Sequence, residues 1–178
     1  MQANRPKNRH KPTMMRSRLT LLYIIGIVVT AALTVSCHDG TVYHHYEQTE
    51  DDGWDRGDTL HFTTPAVSSS GDYQAFVEIR SSRAYPFMNL DIIVEQTVLP
   101  AHYTEIDTLM CYLADDKGQM QGSGISEYQY RKPFKTLRLR QGDSLSIQIR
   151  HNMKREILPG ITDIGYQLKK QAAQGLQH

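Results

Sequence analysis

Apolar residues alternate with polar ones in six runs of the chain, and this period of two constrains the fold more than any other feature. The apolar positions are Tyr73, Ala75, Val77 and Ile79; Leu90, Ile92 and Val94; Leu109, Cys111 and Leu113; Leu137 and Leu139; Leu145, Ile147 and Ile149; and Ile164, Tyr166 and Leu168. Because successive side chains of a strand point to opposite faces, each run buries one face and leaves the other in water. The pattern predicts half-buried antiparallel strands.

Turn-forming residues separate these runs at 68–72, 115–118, 141–143 and Pro159-Gly160. With one more strand near 59–64, we predict seven or eight short strands. No segment after residue 37 has a sustained helical period, and the nearest candidate is the short stretch 153–158. The predicted fold class is therefore all-β, an antiparallel β-sandwich, with a barrel as the alternative architecture.

The N-terminal segment has the three parts of an export signal. Basic residues up to Arg18 precede an uncharged stretch from Leu19 to Val35, and Ser36-Cys37 follows it. We expect residues 1–36 to be a lipoprotein signal peptide and Cys37 to carry the lipid, although Thr34 stands where a lipobox usually has Leu. An uncleaved transmembrane anchor is the alternative, and Met1, Met14 and Met15 are all candidate start residues.

Removal of the signal peptide changes the charge of the chain. Six of the 20 Lys and Arg residues and none of the 19 Asp and Glu residues lie in 1–36, so the mature chain has a net charge of −5. An acidic chain repels phosphate backbones, and we expect no nucleic-acid partner. We expect a lipidated polar tether at 37–57, the sandwich domain at 58–170 and a flexible tail at 171–178.

No residue pattern in the chain indicates catalysis, a metal or a cofactor. His38, His44 and His45 lie in the expected tether, where a solvated loop role is favoured, and no His or Cys spacing matches a zinc site. The glycine-rich stretch 118–124 lacks the Lys-Ser/Thr pair of a phosphate loop, and no Gly-x-Ser-x-Gly elbow is present. We expect no enzyme, no metal site and no small-molecule substrate, and Cys111 as a small apolar residue in a strand.

Two other segments, 80–90 and 153–165, are distinctive without indicating chemistry. Pro86 fixes its own φ angle and favours an extended Tyr85, so the first segment connects two strands, with Asn89 available to bond the loop backbone. An architectural role and a partner surface are both open for these segments. Exposure of Tyr85 and Phe87 would favour a partner surface.

The same segments carry a family resemblance. Arg80, Tyr85, Pro86, Asn89 and Leu90 match one motif; Asp107-Thr108-Leu109, Leu113-Ala114-Asp115, Gly118, Gly122 and Gly124 match a central hairpin; and Met153, Leu158, Gly160, Ile161, Asp163, Ile164 and Gly165 match a C-terminal motif. Over about residues 42–170 the chain resembles the gliding-motility lipoprotein family GldH of Bacteroidetes. It departs from the family at Met120, where Trp is common, and at Lys154, where Arg is common.

The resemblance implies a lipid-anchored (palmitate-bearing) protein of the cell envelope, associated with gliding and with the secretion machinery tied to it. It implies a non-catalytic accessory or assembly factor that contacts the membrane through Cys37 and also contacts other envelope proteins, with the matched residues as its candidate partner surface. The favoured location is the periplasmic side of the outer membrane, with the inner membrane as the alternative. A glycan-binding sandwich at the cell surface is the competing function.

Overall fold

The computed structural model describes residues 40–172. The expected signal peptide, Cys37 and residues 173–178 of the expected tail lie outside this range. Within it the chain has no helix and ten strands. These are β1 (Thr41–Gln48), β2 (Trp54–Asp55), β3 (Leu60–Thr63), β4 (Gly71–Ser82), β5 (Asn89–Leu99), β6 (Tyr103–Tyr112), β7 (Glu127–Leu139), β8 (Ser144–His151), β9 (Ile157–Leu158) and β10 (Ile161–Lys170).

The strands form two four-stranded antiparallel sheets and one short ribbon. The first sheet has the order β1-β10-β4-β7, the second has the order β3-β8-β5-β6, and β2 pairs with β9. The inward-facing residues of both large sheets form one hydrophobic core. Every residue of the predicted runs on β4, β5, β8 and β10 is at most 1% exposed, and each buried Val, Leu or Ile among them contributes about 1.5–3 kcal/mol to folding. The all-β sandwich prediction is confirmed.

The N-terminal part of the domain differs from the expected polar tether. Residues 41–48 form β1, an edge strand paired with β10, and Trp54 in β2 is completely buried. Alternation could not reveal β1, because its inward positions are Tyr43, His45 and Glu47. An edge strand is held mainly by backbone hydrogen bonds, which do not depend on apolar side chains. Only His38, Asp39 and Gly40 separate Cys37 from the first strand.

The register of the strands gives the sandwich two distinct ends. Thr41 pairs with Lys169, Gly71 with Leu139, and Leu99 with Ser144, so these residues share one end, the Thr41 end. The opposite end, the Gly160 end, contains the connections 49–59, 83–88, 113–126 and 152–160. Most residues of the three matched motifs lie at the Gly160 end.

Candidate partner-binding site

Three connections that are distant in sequence meet at the Gly160 end: 83–88, 113–126 and 152–160. The backbone nitrogens of Leu113 and Ala114 both donate to the Met88 carbonyl, at 2.8 and 3.1 Å. The Ser82 nitrogen donates to the Gly160 carbonyl at 2.7 Å. The first motif is therefore joined by backbone hydrogen bonds to the central and the C-terminal motifs.

Tyr85 is the centre of this arrangement. Its side chain is 4% exposed, and its hydroxyl donates to the Asn89 carbonyl at 2.8 Å. Its ring meets that of Phe87 edge to face, with centroids 5.7 Å apart. Burial, followed by the charge of Asp91, raises the pKa of Tyr85. The exposure that would have favoured a partner surface is thus absent at Tyr85, whereas Phe87 is half-buried and Pro86 is exposed.

Gly160 allows the C-terminal connection to lie directly on this segment. It has a φ of +80°, and a Cβ there would lie 2.3 Å from the Tyr85 nitrogen and 2.8 Å from the Ala84 carbonyl carbon. Leu158, before it, is buried, as are Leu90 and Ile161. These three motif residues belong to the core and are not available to a partner.

The central connection is shaped by an aspartate and by glycines, as the turn interpretation expects. Asp115 Oδ1 accepts hydrogen bonds from the backbone nitrogens of Lys117 and Gln119, at 2.9 and 2.8 Å. Gly118 has a φ of +75° in open space. A Cβ at Gly122 would lie 2.7 Å from the Tyr130 ring, and one at Gly124 would collide with the Glu127 carbonyl. The glycines let this connection lie flat against the start of β7.

Between the first and central motifs lies an open cavity of 540 Å³. Its lining is Tyr85, Pro86, Phe87, Ala114, Met120 and Tyr128, together with Arg83, Gly118 and Gln119. The Arg83 Nε donates to the Tyr128 hydroxyl at 2.9 Å. Met88 and Ile125, which belong to the same two connections, are 47% and 87% exposed. The cavity therefore has a mixed polar and apolar wall in a region that also exposes apolar side chains.

A smaller cavity of 300 Å³ lies on the other side of Phe87, towards the C-terminal motif. Met153 lines it, and its sulfur accepts a hydrogen bond from the Asp91 nitrogen at 3.4 Å. Asn89 also lines it, and the Asn89 side chain donates to Asp91 Oδ1 at 3.2 Å. The expectation that Asn89 bonds the loop backbone is therefore wrong for its side chain, although its carbonyl accepts from Tyr85.

Three further motif residues, Arg80, Asp163 and Gly165, lie on the outer face of the first sheet. Arg80 and Asp163 approach to 3.7 Å, and the Arg80 guanidinium lies 3.9 Å from the centre of the Tyr46 ring. A Cβ on Gly165 would lie 2.7 Å from Tyr46. Gly165 is thus a strand glycine with a close neighbour.

Glu78 is a buried charged residue of the same sheet, next to Tyr46 and Gly165. Its side chain is 3% exposed, and it accepts hydrogen bonds from Tyr46 and, at 2.9 Å, from His44. Arg131 Nε lies 3.4 Å from its other oxygen. Burial, then the hydrogen bond to Glu78, raises the pKa of Tyr46. The solvated-loop interpretation of His44 is wrong, and sequence reasoning missed this network, whose only signal was the polar pattern of β1.

The described residues contain little that would support catalysis. Within residues 40–172 no three His, Cys, Asp or Glu side chains are grouped so as to hold a metal. Cys111 is buried, and burial raises its pKa to about 12, so its thiol is not activated. A search of the same residues finds no helix long and apolar enough to cross a membrane. What the site offers is shape and a surface of mixed polar and apolar character.

Comparison with known proteins gives one consistent family. The model of the GldH lipoprotein family matches residues 41–168. Gliding motility lipoprotein GldH of Flavobacterium johnsoniae is 27% identical over 82% of this chain and 95% of its own length. The Gliding motility lipoprotein GldH homolog of Christiangramia forsetii is 24% identical over 88% of this chain and 98% of its own length.

Solved structures resemble the chain only distantly. A family GH115 4-O-methyl-alpha-glucuronidase overlaps 74% of this chain and 18% of its own length, at 14% identity and a TM-score of 0.43. Eiger TNF from S. frugiperda overlaps 78% of this chain at 11% identity and a TM-score of 0.30. At such low scores these likenesses carry no conclusion about function.

Proposed function

The chain belongs to the GldH lipoprotein family, and from this membership we propose that it is a lipid-anchored protein of the cell envelope that serves gliding motility or the secretion machinery associated with it. Its role is that of a non-catalytic accessory or assembly factor. It acts by binding another envelope protein at the Gly160 end of the sandwich. The favoured location is the periplasmic side of the outer membrane.

The anchor in this proposal is an acylated Cys37, exposed by removal of residues 1–36. Acyl chains on one residue hold a protein at a bilayer because each buried methylene contributes about 0.8 kcal/mol. The folded domain then begins at Thr41, the start of β1, and not at residue 58 as expected. Only residues 38–40 remain as the tether between Cys37 and the domain. Gln171, the first residue of the expected tail, still donates from its backbone nitrogen to the Asp72 carbonyl at 2.9 Å.

One observation carries the partner-binding part of the proposal: the three motifs meet at one end of the sandwich, where residues of the first and central motifs line a cavity. Met88 and Ile125 belong to the connections that line this cavity, and Ile157 in β9 is also exposed. Exposed apolar side chains at the same end of a domain as an open cavity are typical of surfaces that bind proteins. An apolar side chain of the partner, inserted beside Phe87 and Met120, fits this lining.

The competing glycan-binding function requires exposed aromatic rings aligned on one face. Among the described residues Trp54 and Tyr85 are buried. The well-exposed Tyr103 and Tyr112 begin and end β6, nine positions apart and therefore on opposite faces of the strand. This arrangement disfavours a flat sugar platform.

Photo-crosslinking in living cells tests the partner. A photoreactive amino acid is placed at Met120 or Phe87 in the cavity, and at Gln141 at the Thr41 end as the matched control. We expect positions 120 and 87 to yield one shared protein adduct that position 141 does not give. The absence of a protein adduct at both cavity positions, or the same adduct at all three, would refute a partner site here.

Acylation is tested separately by mass spectrometry of the protein purified from cells. We expect two or three acyl chains on Cys37 and a soluble, unprocessed or unacylated product for Cys37→Ala. Recovery of wild-type protein without acyl chains would remove the anchor from the proposal and leave the crosslinking result untouched.

A further inference from the structure

The start of β1 fixes which end of the sandwich is nearest to the acylated residue. Gly40 is the first described residue, and its carbonyl accepts from the Lys170 nitrogen at 2.8 Å. A chain advances at most 3.6 Å per residue, so Cys37 lies within about 14 Å of Thr41. A lipid anchor at Cys37 therefore holds the Thr41 end close to the bilayer.

The Thr41 end is basic, although the mature chain is acidic. Its charged residues are Arg138, Arg140, Lys169 and Lys170 against Asp39, which precedes β1 in the sequence, Asp72 and Asp143. Asp72 accepts from Arg138 Nε at 3.2 Å, and Asp143 is engaged by the Arg140 backbone nitrogen at 2.8 Å. The ion pair balances the charge of Asp72 against that of Arg138, whereas the backbone hydrogen bond positions Asp143 without removing its charge.

The connections at the Gly160 end have the opposite charge balance. The segments 49–59, 83–88, 113–126 and 152–160 contain eight acidic and five basic side chains. The two ends are separated by the length of the strands, about 30 Å for the ten residues of β10. This separation exceeds the Debye length of about 8 Å at physiological salt, so the basic end interacts with its surroundings independently of the acidic end.

We propose that the Thr41 end lies against an anionic lipid surface and that the cavity at the Gly160 end consequently points away from the bilayer. This inference rests on the proposed lipid anchor at Cys37. The short tether gives the proximity, and the basic side chains give the orientation. Each Lys or Arg at an anionic surface strengthens the association about fivefold.

Depth-dependent quenching in proteoliposomes tests the orientation. The full-length processed protein carries one fluorophore on Gln141→Cys or on Asp116→Cys, both of which are exposed turn positions. Buried Cys111 does not label, and the parent protein serves as the blank. With a quencher attached to lipid headgroups, we expect several-fold stronger quenching at position 141 than at position 116. Equal quenching or the reverse order would overturn the orientation.

Lipid charge and a matched pair of double variants test the basic surface. We expect the contrast between the two probe positions to be larger in phosphatidylglycerol vesicles than in phosphatidylcholine vesicles. Arg138→Gln/Arg140→Gln should abolish this gain, whereas Arg56→Gln/Lys117→Gln, which removes two charges at the opposite end, should keep it. No effect of lipid charge, or equal losses for both double variants, would overturn the anionic-lipid contact.

The outcome of acylation separates this inference from the function on which it rests. An unacylated Cys37 overturns the proposed anchor and the orientation together. An acylated protein with equal quenching at both probe positions overturns the orientation alone. Failure to crosslink a partner at Met120 concerns only the proposed function.

Discussion

Gly160 and Tyr85 are in direct backbone contact: a Cβ added to Gly160 would lie 2.3 Å from the Tyr85 nitrogen. Real Cβ atoms do not approach other atoms so closely, so only glycine permits this contact. Together with the hydrogen bond from Ser82 to the Gly160 carbonyl, it holds two segments that are 75 residues apart in sequence against each other. Tyr85, against which Gly160 lies, is part of the lining of the larger cavity at this end.

Gly160→Ala should therefore destabilise the domain strongly. Its left-handed φ costs an alanine about 1 kcal/mol, and displacement of the Tyr85 backbone should bring the loss to about 3 kcal/mol. Gly118→Ala is the matched control, because Gly118 has nearly the same φ but nothing within 4 Å of its Cβ position. Urea unfolding of both variants measures the difference, and equal losses would contradict the contact.

The hydrogen bond from Tyr46 to buried Glu78 should stabilise the attachment of β1. We expect Tyr46→Phe to lower the free energy of unfolding by about 1.5 kcal/mol, because a donor to a buried carboxylate is lost. Combined with Glu78→Gln, a double-mutant cycle should show coupling. Tyr103→Phe removes a similar but exposed donor to Glu105 and should change nothing measurable. A cycle without coupling would contradict this role.

Acidification should destabilise the fold through His151. Burial lowers the pKa of His151 below its usual 6.5, and its Nδ1 accepts a hydrogen bond from the Met153 nitrogen, so the folded state favours the neutral ring. The unfolded chain takes up the proton near pH 6.5 and the folded chain only at lower pH. Stability from this group is therefore complete above pH 6.5 and is lost as the pH falls through the lowered pKa.

Chemical unfolding at pH 7.5 and at lower pH values measures this dependence. His151→Gln should flatten the plot of the free energy of unfolding against pH just below pH 6.5. His61→Gln, at an exposed position of β3, should retain the wild-type slope of that plot. A slope that persists unchanged in His151→Gln would assign the effect to other groups.

Lys135 joins the free edges of the two sheets. Its Nζ lies 2.6 Å from Glu105 Oε2 and 2.8 Å from Asp107 Oδ2, and the hydrogen bonds to Asp107 and Glu105 raise the pKa of Lys135. Lys135→Met should cost about 1 kcal/mol at low salt, because two carboxylates lose their partner, and less at high salt. Lys117→Met, in an exposed turn, is the control and should not measurably lower the free energy of unfolding. A loss of stability in Lys135→Met that does not depend on salt would contradict the ionic origin of the Lys135 contribution.

Cys111 should report global unfolding. Burial raises its pKa to about 12, so at pH 8 the thiol is almost entirely protonated and is also shielded from reagents. We expect negligible labelling by maleimide in native protein and complete labelling in urea above the unfolding midpoint, measured by mass. Rapid labelling of native protein would show that β6 detaches from the sheet.

The predictability of the elements follows their position in the fold. The central strands β4, β5, β8 and β10 were predictable because their inward residues must be apolar, and that requirement appears as alternation. β1, β2 and β9 were not predictable from alternation. They lie at a sheet edge or in a two-residue ribbon, where backbone pairing and single side-chain contacts determine whether a strand forms. Trp54 is the clearest case: it is buried against His151, at a ring distance of 5.2 Å, from within a polar segment.

The candidate site was predictable as a set of residues but not as a surface. The motifs indicated which positions to examine, yet Leu90, Leu158 and Ile161 are core residues, and Arg80, Asp163 and Gly165 lie on a different face from Tyr85. Glu78, Tyr46 and Arg131 belong to no motif that we recognised. Their association depends on which residues face each other across four strands, and register is a property of the pairing and not of any one segment.

The sequence by itself determined the all-β class, the positions of the main strands and turns, and the family resemblance, because burial of one strand face and the backbone demands of turns act on neighbouring residues. The tertiary structure alone decided the short tether, the basic and acidic ends and the cavity between the motifs. Those features arise from contacts between segments far apart in the chain, and the order in which strands pair sets them.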